Sequence, residues 1–205
     1  MKQFGKLLGF ILTAALFFSM SASAETVGVT EQLEERMEAY LEPFTSFFGY
    51  AGSEKCTDFK FDSSCRTGMV SMACLKSGIG GKTVSEVKEE VREYLQIYFG
   101  SRKVNYQAME DRGSREYNPS CFWQVYRGKL TFCGFHTDGY TFSSDVIRVL
   151  RTDSGAYKVI YEISLVNLDG RKVETTGEAQ FTVTMVPVED RFLITGITRK
   201  AAYTL

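Results

Sequence analysis

Two short stretches hold the residues whose types and spacing could do chemistry. The first is SGIGGKT, Ser77 to Thr83, where three glycines, a lysine and a threonine run into a helical pattern. A phosphate loop of the form G-x-x-x-x-G-K-[ST] wraps successive backbone amides around phosphates and sends its lysine to them. Counting back from Gly81-Lys82-Thr83, the first glycine falls at position 76, which is Lys76. The motif also requires a preceding strand, and Met69 to Leu75 reads as a short helix or coil. The stretch is instead expected to be a glycine joint, Gly80-Gly81, followed by a helix cap at Thr83.

The second stretch is CGFHTDGY, Cys133 to Tyr140, which contains His136, the single histidine. A cysteine nucleophile needs its base within hydrogen-bond reach. Residues three apart on a strand point to opposite faces, so Cys133 and His136 would diverge. Gly134 and Gly139 argue against a helix that would reunite them. One histidine and no Cys-x-x-Cys spacing also leave no zinc site of three or four ligands. No catalytic residue, metal ligand or cofactor is therefore assigned. Asn118-Pro119-Ser120 is closed to glycosylation by its proline.

The cysteines are better read through the chain's destination. Lys2 and Lys6 precede the apolar run Leu7 to Met20, and Ala22-Ser23-Ala24 follows with small residues. That order is a secretory signal peptide over residues 1–24. The run is shorter than the roughly 20 residues of a bilayer span, so a secreted or extracytoplasmic domain of residues 25–205 is expected, with no stable membrane insertion after cleavage. An oxidising destination makes disulfides the default for Cys56, Cys65, Cys74, Cys121 and Cys133. The spacing suggests Cys56 with Cys65 or Cys74, and Cys121 with Cys133. An odd count leaves one thiol over.

Charge narrows the partners. Without Lys2 and Lys6 the chain has 22 basic against 25 acidic side chains, a net charge near −3. Nucleic-acid binding would demand a basic stripe, so no nucleic-acid partner is expected. Glu31, Glu34, Glu35 and Glu38 read as the solvated side of a helix.

The elements that must position these residues follow from periodicity. Leu33, Met37, Tyr40, Leu41, Phe44, Phe47 and Phe48 make one helix face, with Thr30 as N-cap, a break at Pro43 and an end at Gly49 and Gly52. Thr83 and Glu86 form a capping box ahead of Val84, Val87, Val91, Leu95 and Tyr98, and Gly100 closes that helix. A cysteine-bearing loop at about 50–80 separates the two helices.

From about Ser120 the period becomes two. Val146 to Arg151, Tyr157 to Leu165, Val173 to Val186 and Phe192 to Thr198 read as four long strands. The turns lie at Asp153-Ser154-Gly155, Leu168 to Arg171 and Pro187 to Asp190. Gly177 marks a bend, and Cys121 to Cys133 a possible extra hairpin. The expected fold is α+β: N-terminal helices packed on a curved antiparallel meander of four to six strands.

With two helices ahead of it, the run Val146 to Thr198 resembles the nuclear-transport-factor-2-like (cystatin-like) cone, in which a bent sheet wraps around helices and leaves a pocket. The likeness lies in strand order and length; the insertion Ser101 to Ser120 and the cysteine-bearing loop depart from a minimal cone. The resemblance implies a pocket that Tyr157, Tyr161 and Phe181 would line. It favours a non-catalytic binding domain for a small apolar ligand, a peptide or a protein partner. The alternatives it implies are an isomerase or dehydratase with a carboxylate base and a tyrosine acid, or a homodimerising assembly module.

Overall fold

Pro43 divides the first apolar stripe, as its missing amide requires. The structure, a computed structural model, describes residues 30–56, 59–74, 78–108, 122–133, 139–167 and 178–204, leaving aside the side chain of Cys74. Helix α1, Glu31–Leu41, passes through a 3-10 turn, Glu42–Phe44, into α2, Thr45–Gly52. Met37, Leu41, Phe44, Phe47 and Phe48 are fully buried, and Leu33 and Tyr40 pack against them. Thr30 stands at the N-cap position but contributes its carbonyl, which accepts from the amides of Leu33 and Glu34, and no side-chain bond.

The helix does not end at Gly49. It runs on to Gly52, and both glycines serve packing: a methyl on Gly49 would overlap the Phe142 ring, and one on Gly52 would overlap the Ala179 methyl. Helix α2 therefore lies directly on the sheet. Its last carbonyls are taken by the C-terminal strand and tail, which supply the partners a helix end lacks. Arg199 donates from Nη1 to Ala51 (2.7 Å) and Ser53 (3.0 Å), and the Tyr203 hydroxyl donates to Gly49 (2.8 Å).

Helix α3 spans Ser63–Cys74, longer than the short helix expected from Met69. Asp62 starts it, with Oδ1 accepting from the amides of Ser64 (2.9 Å) and Cys65 (2.8 Å), the geometry of an N-cap side chain. Helix α4, Val84–Phe99, has the expected capping box, and Gly100 closes it in the left-handed conformation (φ 63°). Val87, Val91, Leu95 and Phe99 form its buried face. Among the described residues, no helix is long and apolar enough to cross a membrane.

The strands form two sheets rather than one. A small sheet holds β1 (Gln107–Ala108), β2 (Trp123–Tyr126) and β3 (Lys129–Phe132), with β1 parallel and β3 antiparallel to β2. The expected hairpin near Cys121 to Cys133 is thus a separate layer. The meander is β4 (Tyr140–Arg151), β5 (Tyr157–Asn167), β6 (Ala179–Val188) and β7 (Arg191–Ala201), antiparallel throughout in that order. Its register shifts between Val146 and Arg148, at Gln180/Phe181 and at Thr184/Met185, the bulges that bend a long sheet. Gly177 and the turn at Leu168 to Arg171 lie outside the described residues.

Alternation decides which face is covered. Val159, Tyr161, Ile163 and Leu165 on β5, and Ala179, Phe181, Val183 and Met185 on β6, are buried, while Lys158, Glu162, Gln180 and Thr182 on the other face are not. The helices pack on the buried face, giving the expected α+β architecture with helices against a sheet. Phe48 sits edge-on to Tyr161 (5.0 Å) and Phe181 (4.9 Å), and Phe47 meets Phe122 (5.5 Å) to join the small sheet to this core. Each fully buried aromatic of this kind contributes about 1.5–3 kcal/mol.

Candidate functional site

The Ser77 to Thr83 stretch is described from Gly78 onward, and its backbone pairs with the small sheet. Gly81 donates to the Leu130 carbonyl (3.0 Å), Leu130 donates to Lys82 (2.7 Å), and Thr83 pairs with Lys129. The Gly81 amide is spent on β3, the Lys82 amide on the Ile79 carbonyl (3.1 Å) and the Thr83 amide on Glu86, so none of the three is left to wrap a phosphate. Thr83 completes the alternative. Its amide (2.6 Å) and hydroxyl (2.7 Å) both donate to Glu86 Oε2, and those bonds hold the Glu86 carboxyl below its ordinary value.

His136 lies outside the described residues, as does Cys121. Cys133 is half-buried; burial pushes its thiol up, and Sγ lies 3.6 Å from the Thr131 carbonyl, the geometry of a thiol donor. A thiol held protonated is a poor nucleophile. Cys56 and Cys65 are both fully buried. No disulfide joins any two of Cys56, Cys65 and Cys133, so of the expected alternatives Cys56–Cys65 is not made, while Cys56–Cys74 and Cys121–Cys133 fall on side chains outside those described. Asp62 begins α3 so that Cys65 enters the core as a small apolar side chain. Among the described residues, no three His, Cys, Asp or Glu side chains cluster to hold a metal.

The residues expected to line a pocket lie in packed surroundings. Tyr161 and Phe181 face each other across β5 and β6 at zero exposure, with Phe48 edge-on to both and Phe59 against Phe181 (5.9 Å). Tyr157 is half-buried, edge-on to Phe192 (6.0 Å). Aromatic rings occupy the space that the cone comparison implied would be hollow.

An open cleft lies just outside this packed zone, where α1 and α2 meet the edge strand β4. Its volume is about 530 Å³, and Glu38, Glu42, Thr45, Phe142, Ser143 and Ser144 line it. Glu38 and Glu42 stand one helical turn apart and end the acidic side of α1. Among the described residues, neither takes part in an ion pair. Like charges at this spacing disfavour a helix by about 0.2–0.5 kcal/mol.

Behind the cleft runs a chain of hydroxyls. Thr45 donates its one proton to the Glu42 carbonyl (2.8 Å). Its oxygen therefore accepts from Ser144 (2.9 Å) and Tyr161 (3.1 Å). Burial raises the Tyr161 phenol first of all; Ser144 and Thr45 oppose the shift, and the Glu38 and Glu42 charges add to it. Tyr161 thus stays a neutral donor turned inward, and it is not part of the cleft lining. A carboxylate base and a tyrosine acid do not face each other across this space. The arrangement can accept hydrogen bonds and balance positive charge.

The sequence reading placed Glu38 on a solvated helix side and passed over Glu42, Thr45, Ser143 and Ser144. The acidic pair just ahead of Pro43 was the available signal. No family model matches the chain, and no curated protein or solved structure does.

Proposed function

We propose that the chain is a secreted, non-catalytic binding domain of cone-like architecture that takes a small cationic, hydroxyl-bearing ligand in the Glu38–Ser144 cleft. The observation that carries this reading is a pair of carboxylates with no cationic partner among the described residues, set beside serine and threonine hydroxyls at an open cleft. An amine between Glu38 and Glu42 would relieve their repulsion, and the ligand's hydroxyls would meet Ser143 and Ser144. The packed aromatics around Tyr161 and Phe181 support a ligand at the mouth rather than an apolar one within. They also weaken the isomerase and dehydratase reading, which needs a dry pocket holding both acid and base.

The test is a titration of residues 25–205 with glucosamine, glucose and 1,4-diaminobutane, followed by amide chemical shifts. Saturable shifts at Phe142, Ser143 and Ser144 are expected for the two amines and none for glucose. Glu38→Gln with Glu42→Gln should weaken amine binding about tenfold or more, since a hydrogen bond to a charged group contributes about 1.5–3 kcal/mol. Amines that shift no residue of the cleft, or shift the double variant equally, would overturn the proposal.

A further inference from the structure

A second cleft, about 440 Å³, opens on the small sheet far in character from the first. Trp123, 7% exposed, lines it, and its buried indole N–H has no acceptor among the described residues. One wall is the bare backbone of Gly80 and Gly81. Nothing stands within 4 Å of where a Gly81 side chain would begin, and a methyl on Gly80 would only touch Trp123 at 3.9 Å. Gly81, at φ 81°, is held there by its bond to Leu130, so this backbone is fixed.

The opposite wall is the β2–β3 turn, Arg127-Gly128. Both residues have positive φ (49° and 77°), the geometry of a type I′ turn. Asn-Gly suits such a turn; arginine is strained in it, and among described non-glycine residues only Glu189 shares the sign. What the strained position achieves is placement. The Arg127 guanidinium is held 5.3 Å from the Tyr126 ring centroid, at the cleft edge beside Lys129. Phe132, 37% exposed, completes an apolar side.

The balance of groups points to one kind of occupant. Arg127 and Lys129 are donors at the cleft, and among the described residues no carboxylate lines it. The nearby Glu86 is engaged by the Thr83 amide and hydroxyl. Glycine backbone beside aromatic side chains suits a ring, and a cationic edge suits an anion. The volume falls within the range of about 300–1,000 Å³ typical of small-molecule sites. We infer that this cleft is a separate binding site for a small aromatic carboxylate, its ring against Gly80-Gly81 and Phe132 and its carboxylate at Arg127 and Lys129.

Trp123 is the single tryptophan of the chain, so its fluorescence reports on this site alone. The experiment titrates residues 25–205 with phenylacetate, its neutral amide phenylacetamide, acetate, and a tetraglutamate peptide. Phenylacetate should give a saturable change, with phenylacetamide and acetate each about tenfold weaker or more, equivalent to about 1.4 kcal/mol. Arg127→Asn should bind about tenfold more weakly while melting at the same temperature or higher, because asparagine tolerates the turn. Lys129→Gln should weaken binding without touching the turn, which keeps the test valid if Arg127→Asn misfolds. An equal response to phenylacetamide, unchanged binding in both variants, or a response to tetraglutamate alone would overturn the assignment. None of these outcomes depends on Glu38 or Glu42.

Discussion

The two sheets treat their aromatic surfaces in opposite ways. Under the meander, α2 approaches so closely that Gly49 and Gly52 have no room for a methyl, and Phe48, Tyr161 and Phe181 fill the space between helix and strands. On the small sheet, Phe132 is over a third exposed, Trp123 keeps a buried donor with no acceptor among the described residues, and Arg127 sits in a strained turn. Local and tertiary preferences agree in the first region and conflict in the second. Such conflicts are retained where something other than stability uses them. The contrast therefore separates a region whose side chains all serve packing from one whose side chains do not, and the Glu38–Ser144 cleft lies at the edge of the first.

The sharpest test removes one phenylalanine from each side. Phe181→Ala empties a fully buried site on the meander and should cost about 3–5 kcal/mol. Phe132→Ala removes a ring already 37% exposed and should cost about 1 kcal/mol, the lower end of core truncations. Urea unfolding of the two variants measures both. Equal losses would mean that the small sheet is as much a core as the meander, and the division would fail.

Gly49→Ala gives the next largest effect, and its sign is informative. Alanine should favour a helix over glycine by about 1 kcal/mol. Overlap with the Phe142 ring should outweigh that gain and leave a net loss of about 1–3 kcal/mol. A stabilised variant in thermal unfolding would show that the ring yields freely and that α2 is not tightly seated. Gly81→Ala should also destabilise, but through its φ of 81° rather than through contact, since nothing lies near it.

What the sequence disclosed follows the same division. Pro43, the Thr83–Glu86 box, Gly100 and the alternation along β5 and β6 act through neighbours in the chain, and each was readable. Helix α3 was read too short because its buried side is only partly apolar, with Cys65, Met69 and Val70 sharing it with hydroxyls. Ser64, Thr67 and Ser71 are buried; Thr67 bonds back to the Ser63 carbonyl (2.9 Å) and Ser71 to Thr67 (2.7 Å). The same hydroxyls hold the chain after α4, with the Asn105 amide on Thr67 (3.0 Å) and the Tyr106 hydroxyl on Ser71 (2.6 Å). An apolar count cannot see such a face.

The roles of Gly49 and Gly52 depend on Phe142 and Ala179, which lie about 90 residues or more along the chain and cannot be read from helix spacing. Glu38 and Glu42 likewise become a site only when the edge of β4 arrives beside them. The candidate site was therefore nearly invisible in sequence, while most of the element order was legible.

The smallest effect concerns Glu86, where the glycine joint meets α4. The carboxylate accepts from the hydroxyl and amide of Thr83, and Lys82 and Lys129 lie near enough to favour its charge. Its folded value is therefore below the unfolded one, near 4.5. The stabilisation is full above pH 4.5 and is lost as pH falls through the lower folded value. Acid should accordingly loosen the start of α4 before it affects the meander. Protection of the Thr83 amide, relative to the slower intrinsic exchange in acid, should fall across that interval, while protection of the β5 and β6 amides holds. Glu86→Gln should exchange faster at neutral pH and lose the step. If the step survives in Glu86→Gln, another carboxylate governs it, and the joint is not the first part of the small-sheet region to yield.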